Sequence, residues 1–172
     1  MRFFWVIVFF FLNLSATMKR YVMDNDYFSL NYPSSMKMER SKEGDKDGIY
    51  KVVFLDINTK TSITVKYYSP KSGRDYKKFI EQQTGVNTPT ERYEKPKNIN
   101  VGGKKATQII RYLKEFEDIS SPSSPSYWLK EKIVVIPANK GFYTVIFSAL
   151  EKEFDKKSKI FDSVLKSLKT KY

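Results

Sequence analysis

The stretch "INVGGKKATQIIRYLKEF" places Gly102 and Gly103 directly ahead of Lys104 and Lys105, the residue types with which a loop cradles a phosphate. A nucleotide loop of that kind needs G-x-x-x-x-G-K-[ST] between a strand and a helix. Here the glycines are adjacent, position 106 is alanine, and Ala106, Gln108, Ile110 and Tyr112 then alternate against Thr107, Ile109, Arg111 and Leu113. The alternation predicts a strand, so no helix N-terminus points its amides at an anion. The glycines are expected to form a turn that uses positive φ. "EGDKDG", beginning at Glu43, spaces its acids like a calcium loop. Counted from Glu43, however, the twelfth position that should supply a bidentate glutamate is Phe54. A charged hairpin turn is the expectation there. Asp24, Asp26, Glu115, Glu117 and Asp118 could supply acid–base chemistry, but no spacing marks two of them as a pair.

The sequence contains no histidine and no cysteine. Serine–histidine triads, cysteine–histidine pairs and ordinary zinc sites are therefore impossible within the chain. No catalytic residue, metal ligand or cofactor site is expected. The formal net charge is +12, with lysines spread along the chain. Such a balance suits solubility, and it also suits an anionic partner.

Aromatic residues make up 16% of the chain, and several adjoin basic ones in "VKYY", "ERYEK", "IRYLK" and "YWLKEK". Most of these rings are expected in the core. Two segments between regular elements, residues 86–98, with room for a short strand near Tyr93, and 117–126, are expected to be loops, the second rich in serine and proline. Loops beside a rigid sheet often carry binding residues. The candidate binding set is therefore Arg92, Tyr93, Lys95, Lys97, Arg111, Tyr127, Trp128 and Lys130. The cations would supply attraction and Tyr93, Tyr127 and Trp128 contact area, with Tyr127 and Trp128 as a recognition edge.

Periodicity gives the elements that must hold these groups. "YFSLNYP" alternates Phe28, Leu30 and Tyr32 and ends at Pro33, a half-buried strand. "GIYKVVFLDI" and "SITVKYY" read as a hairpin around "NTKT", with Ile63, Val65 and Tyr67 on one face. "SGRDYKKFIEQQTG" reads as a short amphipathic helix capped by Ser72 with Asp75 three residues on. "YWLKEKIVVIP" and "GFYTVIFSAL" read as a second hairpin around "ANKG". A long last helix is expected from a Ser148 cap to about Lys169, with Leu150, Phe154, Phe161, Leu165 and Leu168 along one face.

Residues 1–16, "MRFFWVIVFFFLNLSA", have the anatomy of a secretory leader: Arg2, a ten-residue apolar run and a small residue, Ala16. Ten residues of helix rise only about 15 Å, short of the ~30 Å of a hydrocarbon core. Cleavage after Ala16 would leave one exported domain, residues 17–172, periplasmic or secreted and monomeric. An uncleaved anchor is the other reading.

The opening "YFSLNYPSSM", the turn and strand "VGGKKATQIIRY" and the closing "FDSVLKSLK" resemble the corresponding segments of the PsbP-like family. That family includes the photosystem II extrinsic subunit and many exported bacterial proteins. The resemblance implies an α+β fold, an α-β-α sandwich with a central antiparallel sheet, one short mid-chain helix and a long C-terminal helix. It carries over no catalytic residue and implies a role in binding other proteins. The expected function is thus an exported, non-enzymatic interaction module for a protein or an anionic envelope component. A hydrolase using acidic residues on an envelope polymer, and a small-molecule carrier, are the alternatives. Nucleic acid is not expected as a partner of an exported protein.

Overall fold

A computed structural model describes residues 17–118 and 124–172. The leader-like segment, and the middle of the serine–proline stretch at 119–123, lie outside the described residues.

Strands dominate. In chain order they are β1 (Met18–Val22), β2 (Phe28–Pro33), β3 (Lys37–Ser41), β4 (Ile49–Asp56) and β5 (Thr61–Tyr68). The helix α1 (Tyr76–Gln82) follows. Then come β6 (Glu91–Tyr93), β7 (Lys97–Val101), β8 (Lys104–Phe116), β9 (Ser126–Pro137) and β10 (Phe142–Leu150). The helix α2 (Glu151–Ser167) and β11 (Lys169–Thr170) complete the described chain. A large antiparallel sheet runs β3-β4-β5-β10-β9-β8-β6, with β7 also pairing β8, and a small sheet runs β1-β2-β11.

Both expected hairpins form. Val52 of β4 faces Val65 of β5, and Val145 of β10 faces Val134 of β9. Because alternate residues point to opposite faces, one face of the large sheet carries Phe54, Ile63, Val65, Tyr67, Val134, Tyr143 and Phe147, all buried. This is the main core. It is closed by Phe28 and Leu30 of β2 and by Phe154, Phe161 and Val164 of α2. Phe147 stacks on Phe161 at 5.4 Å and lies 5.0 Å from Phe154. Burying one such ring is worth about 1.5–3 kcal/mol.

The expected α-β-α sandwich is not formed. On the core face the covering layer is α2 together with a second β-sheet. Among the described residues the only α-helix on the opposite face is α1, seven residues with none buried. At 1.5 Å per residue it is about 10 Å long, enough to shield only Tyr68, Ile109, Ile133, Val135 and Phe142, against which Tyr76, Phe79 and Ile80 pack. The result is a β-rich fold with a C-terminal helix, and one sheet face stays half open.

Local expectations shift for identifiable reasons. Asp75, not Ser72, caps α1: its Oδ1 accepts the N–H groups of Lys77 and Lys78, each at 2.9 Å. Ser72 closes a preceding turn by donating to the Ser69 carbonyl at 2.7 Å. Ser148 does not cap α2, because β10 keeps pairing with β9 as far as Leu150, opposite Leu129. Instead Glu151 and Glu153 in the first turn meet the positive helix end. The helix stops at Ser167 because the chain then adds β11 to β2, with Lys169 opposite Ser29 and Thr170 opposite Phe28.

Candidate functional site

The two apparent ligand loops are turns. Gly102 and Gly103 have φ of +57° and +83° and lead straight into β8. Lys104 Nζ donates to Thr170 Oγ1 at 2.9 Å and to the Tyr172 carbonyl, tying the chain end to the turn. "EGDKDG" is a short 3₁₀ turn closing the β3–β4 hairpin, where Gly48 has φ of +74°. Asp45 Oδ2 accepts from Arg40 Nη2 at 2.8 Å. Among the described residues no group of three or more metal-ligating side chains converges.

The candidate binding residues divide between the two faces of the large sheet, and strand register shows how. Arg92 of β6 faces Tyr112 of β8, which faces Lys130 of β9, all on the core side. There the Arg92 guanidinium lies 4.2 Å from the Trp128 ring and 4.7 Å from Tyr112, with Nη2 3.2 Å from Glu151 Oε1. Lys130 Nζ sits 4.7 Å from the Phe154 ring and 3.6 Å from Asp155 Oδ1. One pleat on, Lys132 Nζ is 2.9 Å from Asp162 Oδ1. These cations join β6 and β9 to the exposed edge of α2. Lys132 and Tyr112 belong to this clamp although the loop-based selection passed over them; their position two residues from Lys130 and directly opposite it is the signal that identifies them. Burial, then a hydrogen bond to Glu94, pushes the Tyr112 phenol above its ordinary range.

Tyr93, Arg111 and Tyr127 lie on the opposite, half-open face. Arg111 faces Tyr93 across β8 and β6, and its Nε is 2.5 Å from Glu131 Oε2. Tyr93 donates its hydroxyl to Glu91, a bond that raises its pKa. Lys60 covers the Tyr127 ring at 3.8 Å. Lys95 and Lys97 are exposed near the free edge of β7. The structure therefore does not bring the eight residues into one site. Glu131, Glu151 and Asp155 each hold a cation, whereas Glu91 accepts the Tyr93 hydroxyl.

The open face has its own pattern. Val53, Leu55, Leu113, Leu129 and Ile146 are half-buried there, interspersed with Lys51, Lys66 and Arg111. Lys51 and Lys66 stand opposite each other on β4 and β5, and neither has an ion-pair partner among the described residues. Burial, and then Lys51, push the Lys66 ammonium below the ordinary lysine range. No helix among the described residues is long and apolar enough to cross a membrane.

No family model matches the sequence, and no curated protein matches it. Solved structures do match. The solution structure of the cyanobacterial PsbP protein CyanoP from Synechocystis is 16% identical and superposes with a TM-score of 0.60, covering 90% of this chain and 93% of that one. A Bacteroides thetaiotaomicron protein is 14% identical with a TM-score of 0.52 over 90% of this chain, which spans 48% of that one. A Pseudomonas aeruginosa protein of unknown function, described as a putative regulator, is 10% identical with a TM-score of 0.51, covering 91% of this chain and 99% of that one. At such identities the likeness is one of fold, and it is the fold that the opening, the glycine turn and the closing helix suggest: the chain has a PsbP-like fold.

Proposed function

We propose that the protein is an exported, non-enzymatic interaction module whose half-open sheet face docks an acidic protein of the cell envelope. The observation that carries this reading is the face itself. A sheet surface of half-buried Val53, Leu55, Leu113, Leu129 and Ile146, studded with Lys51, Lys66 and Lys60, has the mix of apolar centre and charge that protein interfaces use. The unpaired lysines favour a partner of opposite charge, as does the net charge of +12. The fold likeness to CyanoP is compatible with this reading and specifies no role.

Poly-L-glutamate serves as a probe. Two variants each remove three positive charges: Lys51, Lys60 and Lys66 to Gln on the open face, and Lys152, Lys156 and Lys159 to Gln on α2. The open-face variant should lose roughly tenfold in affinity, about 1.4 kcal/mol, and the α2 variant much less. Equal losses would overturn the assignment of the face. Binding to phosphatidylglycerol vesicles but not to poly-L-glutamate would overturn the choice of partner.

A further inference from the structure

Beyond the docking face, a separate cleft of about 460 Å³ opens at the other end of the same sheet surface, between α1 and the β7–β8 pair. Its volume falls within the roughly 300–1,000 Å³ typical of ligand sites. Register explains its lining. Asn98 and Asn100 of β7 face Thr107 and Lys105 of β8, which sets four polar side chains in a two-by-two block on one face. Tyr76, the first residue of α1, and Pro137 of β9 also line it.

The hydrogen-bonding state of this block is lopsided. Asn100 Oδ1 already accepts the N–H of Gly103 at 2.9 Å, so its amide NH₂ is the part left to offer. Lys105 can only donate. Asn98, Thr107 and Tyr76 have no side-chain partner among the described residues. The cleft thus presents amides and hydroxyls that can donate or accept, one cation and no carboxylate among its lining residues. The lone cation favours an oxygen-rich, anionic ligand over a cationic one. One lysine is too little charge for a polyphosphate, whereas amides and a hydroxyl at strand spacing suit a row of ring and hydroxyl oxygens. The face of Tyr76, with Pro137 also lining the cleft, offers a surface for the C–H face of a sugar ring.

We propose that this cleft binds an acidic saccharide, a uronic-acid-type glycan whose carboxylate meets Lys105 and whose hydroxyls accept from Asn98 and Asn100.

Oligogalacturonate tests the site, with its methyl-esterified form as the uncharged comparison. Amide chemical shifts of the full protein should move at residues 98–107 and around Tyr76 on adding oligogalacturonate, and only weakly with the ester. Tyr76→Ala removes packing from α1 and could disturb the fold, so the deciding variant is Asn98→Ala with Lys105→Ala, both exposed. It should keep the wild-type melting temperature and lose roughly tenfold or more in affinity. No binding by the wild type, equal binding of the ester, or undiminished binding by the double variant would overturn the proposal. Binding of an unstructured peptide along the edge of β7 in place of the glycan would overturn it in favour of strand addition. The cations of the docking face take no part in this experiment, so its failure leaves that reading untouched.

Discussion

Lys51 and Lys66 are directly opposed across the β4–β5 ladder, on a sheet face where both are half-buried. Like charges placed so cost roughly 0.2–1 kcal/mol. Burial, then Lys51, depress the Lys66 pKa, while Glu131 opposes the shift. A depressed lysine means that the folded state binds the proton less readily than the unfolded chain. The penalty is complete below the folded pKa and fades as pH rises toward the ordinary lysine value. Lys66→Met should therefore raise the melting temperature at neutral pH, and its advantage should shrink in strongly alkaline buffer. Thermal unfolding at the two pH values measures this. A lower melting temperature at neutral pH would mean that the ammonium makes a net favourable contact.

The tyrosine cluster sets the alkaline limit. Tyr67 and Tyr143 stack at 4.6 Å in the core and donate to the carbonyls of Lys140 and Tyr27, at 2.7 and 2.9 Å. Burial pushes Tyr143 up to about 12 and Tyr67 further. With folded values above the unfolded value, their contribution is complete below an ordinary tyrosine pKa of about 10. It is lost as pH rises through the folded values. Alkaline unfolding and the appearance of buried phenolate absorbance should coincide. Tyr67→Phe should lower neutral stability by about 1 kcal/mol through the lost hydrogen bond, and the decline between pH ~10 and ~12 should become shallower. Phenolate absorbance rising well before the circular dichroism changes would contradict this.

Two turn glycines should respond very differently to alanine. Both have positive φ, +57° at Gly102 and +81° at Gly141. A Cβ on Gly102 meets nothing within 4 Å, whereas one on Gly141 would lie 1.8 Å from the Tyr68 carbonyl oxygen. Gly102→Ala should cost only the backbone term, about 1–2 kcal/mol. Gly141→Ala adds an overlap that only separation of β5 from the β9–β10 turn relieves, so it should be the worse by several kcal/mol in urea titrations. Equal effects would place the Gly141 turn farther from β5.

That contrast marks what a one-dimensional reading reaches. "GGKK" announces its turn by composition, and the β4–β5 and β9–β10 hairpins announce themselves by alternation around short polar breaks. The close approach of Gly141 to Tyr68 depends on strands distant in sequence, and no local pattern encodes it. The same holds for the small sheet. β1 reads "MKRYV" with no fully buried residue, and β11 pairs Lys169 with Ser29 far along the chain, so neither strand has a period to detect. The two-sided division of the candidate site was partly legible. Arg92 and Tyr93, like Tyr127 and Trp128, are sequence neighbours within strands, and neighbours in a strand point to opposite faces. Grouping them as one recognition edge treats a strand as if it were a loop. The cleft beside Tyr76 was not legible, because it needs the β7–β8 register and the placement of α1 together.

Trp128 tests that division directly. On the sequence alone its removal should weaken partner binding more than any lysine change. In the fold it lies on the core side of β9, under the Arg92 guanidinium at 4.2 Å, and Arg92 in turn reaches Glu151 at the start of α2. The open face with Lys51 and Lys66 is on the other side of the sheet. Trp128→Ala should therefore lower stability through lost packing and the cation–π contact, the latter about 0.5–1 kcal/mol at an exposed site. Affinity for poly-L-glutamate should stay unchanged. Because Arg92 bridges the ring and the carboxylate, Arg92→Ala and Trp128→Ala should be non-additive in urea denaturation, with a coupling of about 0.5–1 kcal/mol. Strict additivity would remove the contact as a source of stability. Loss of poly-L-glutamate binding in a Trp128→Ala protein with wild-type unfolding would return Trp128 to the recognition surface and move the docking face to the α2 side of the sheet.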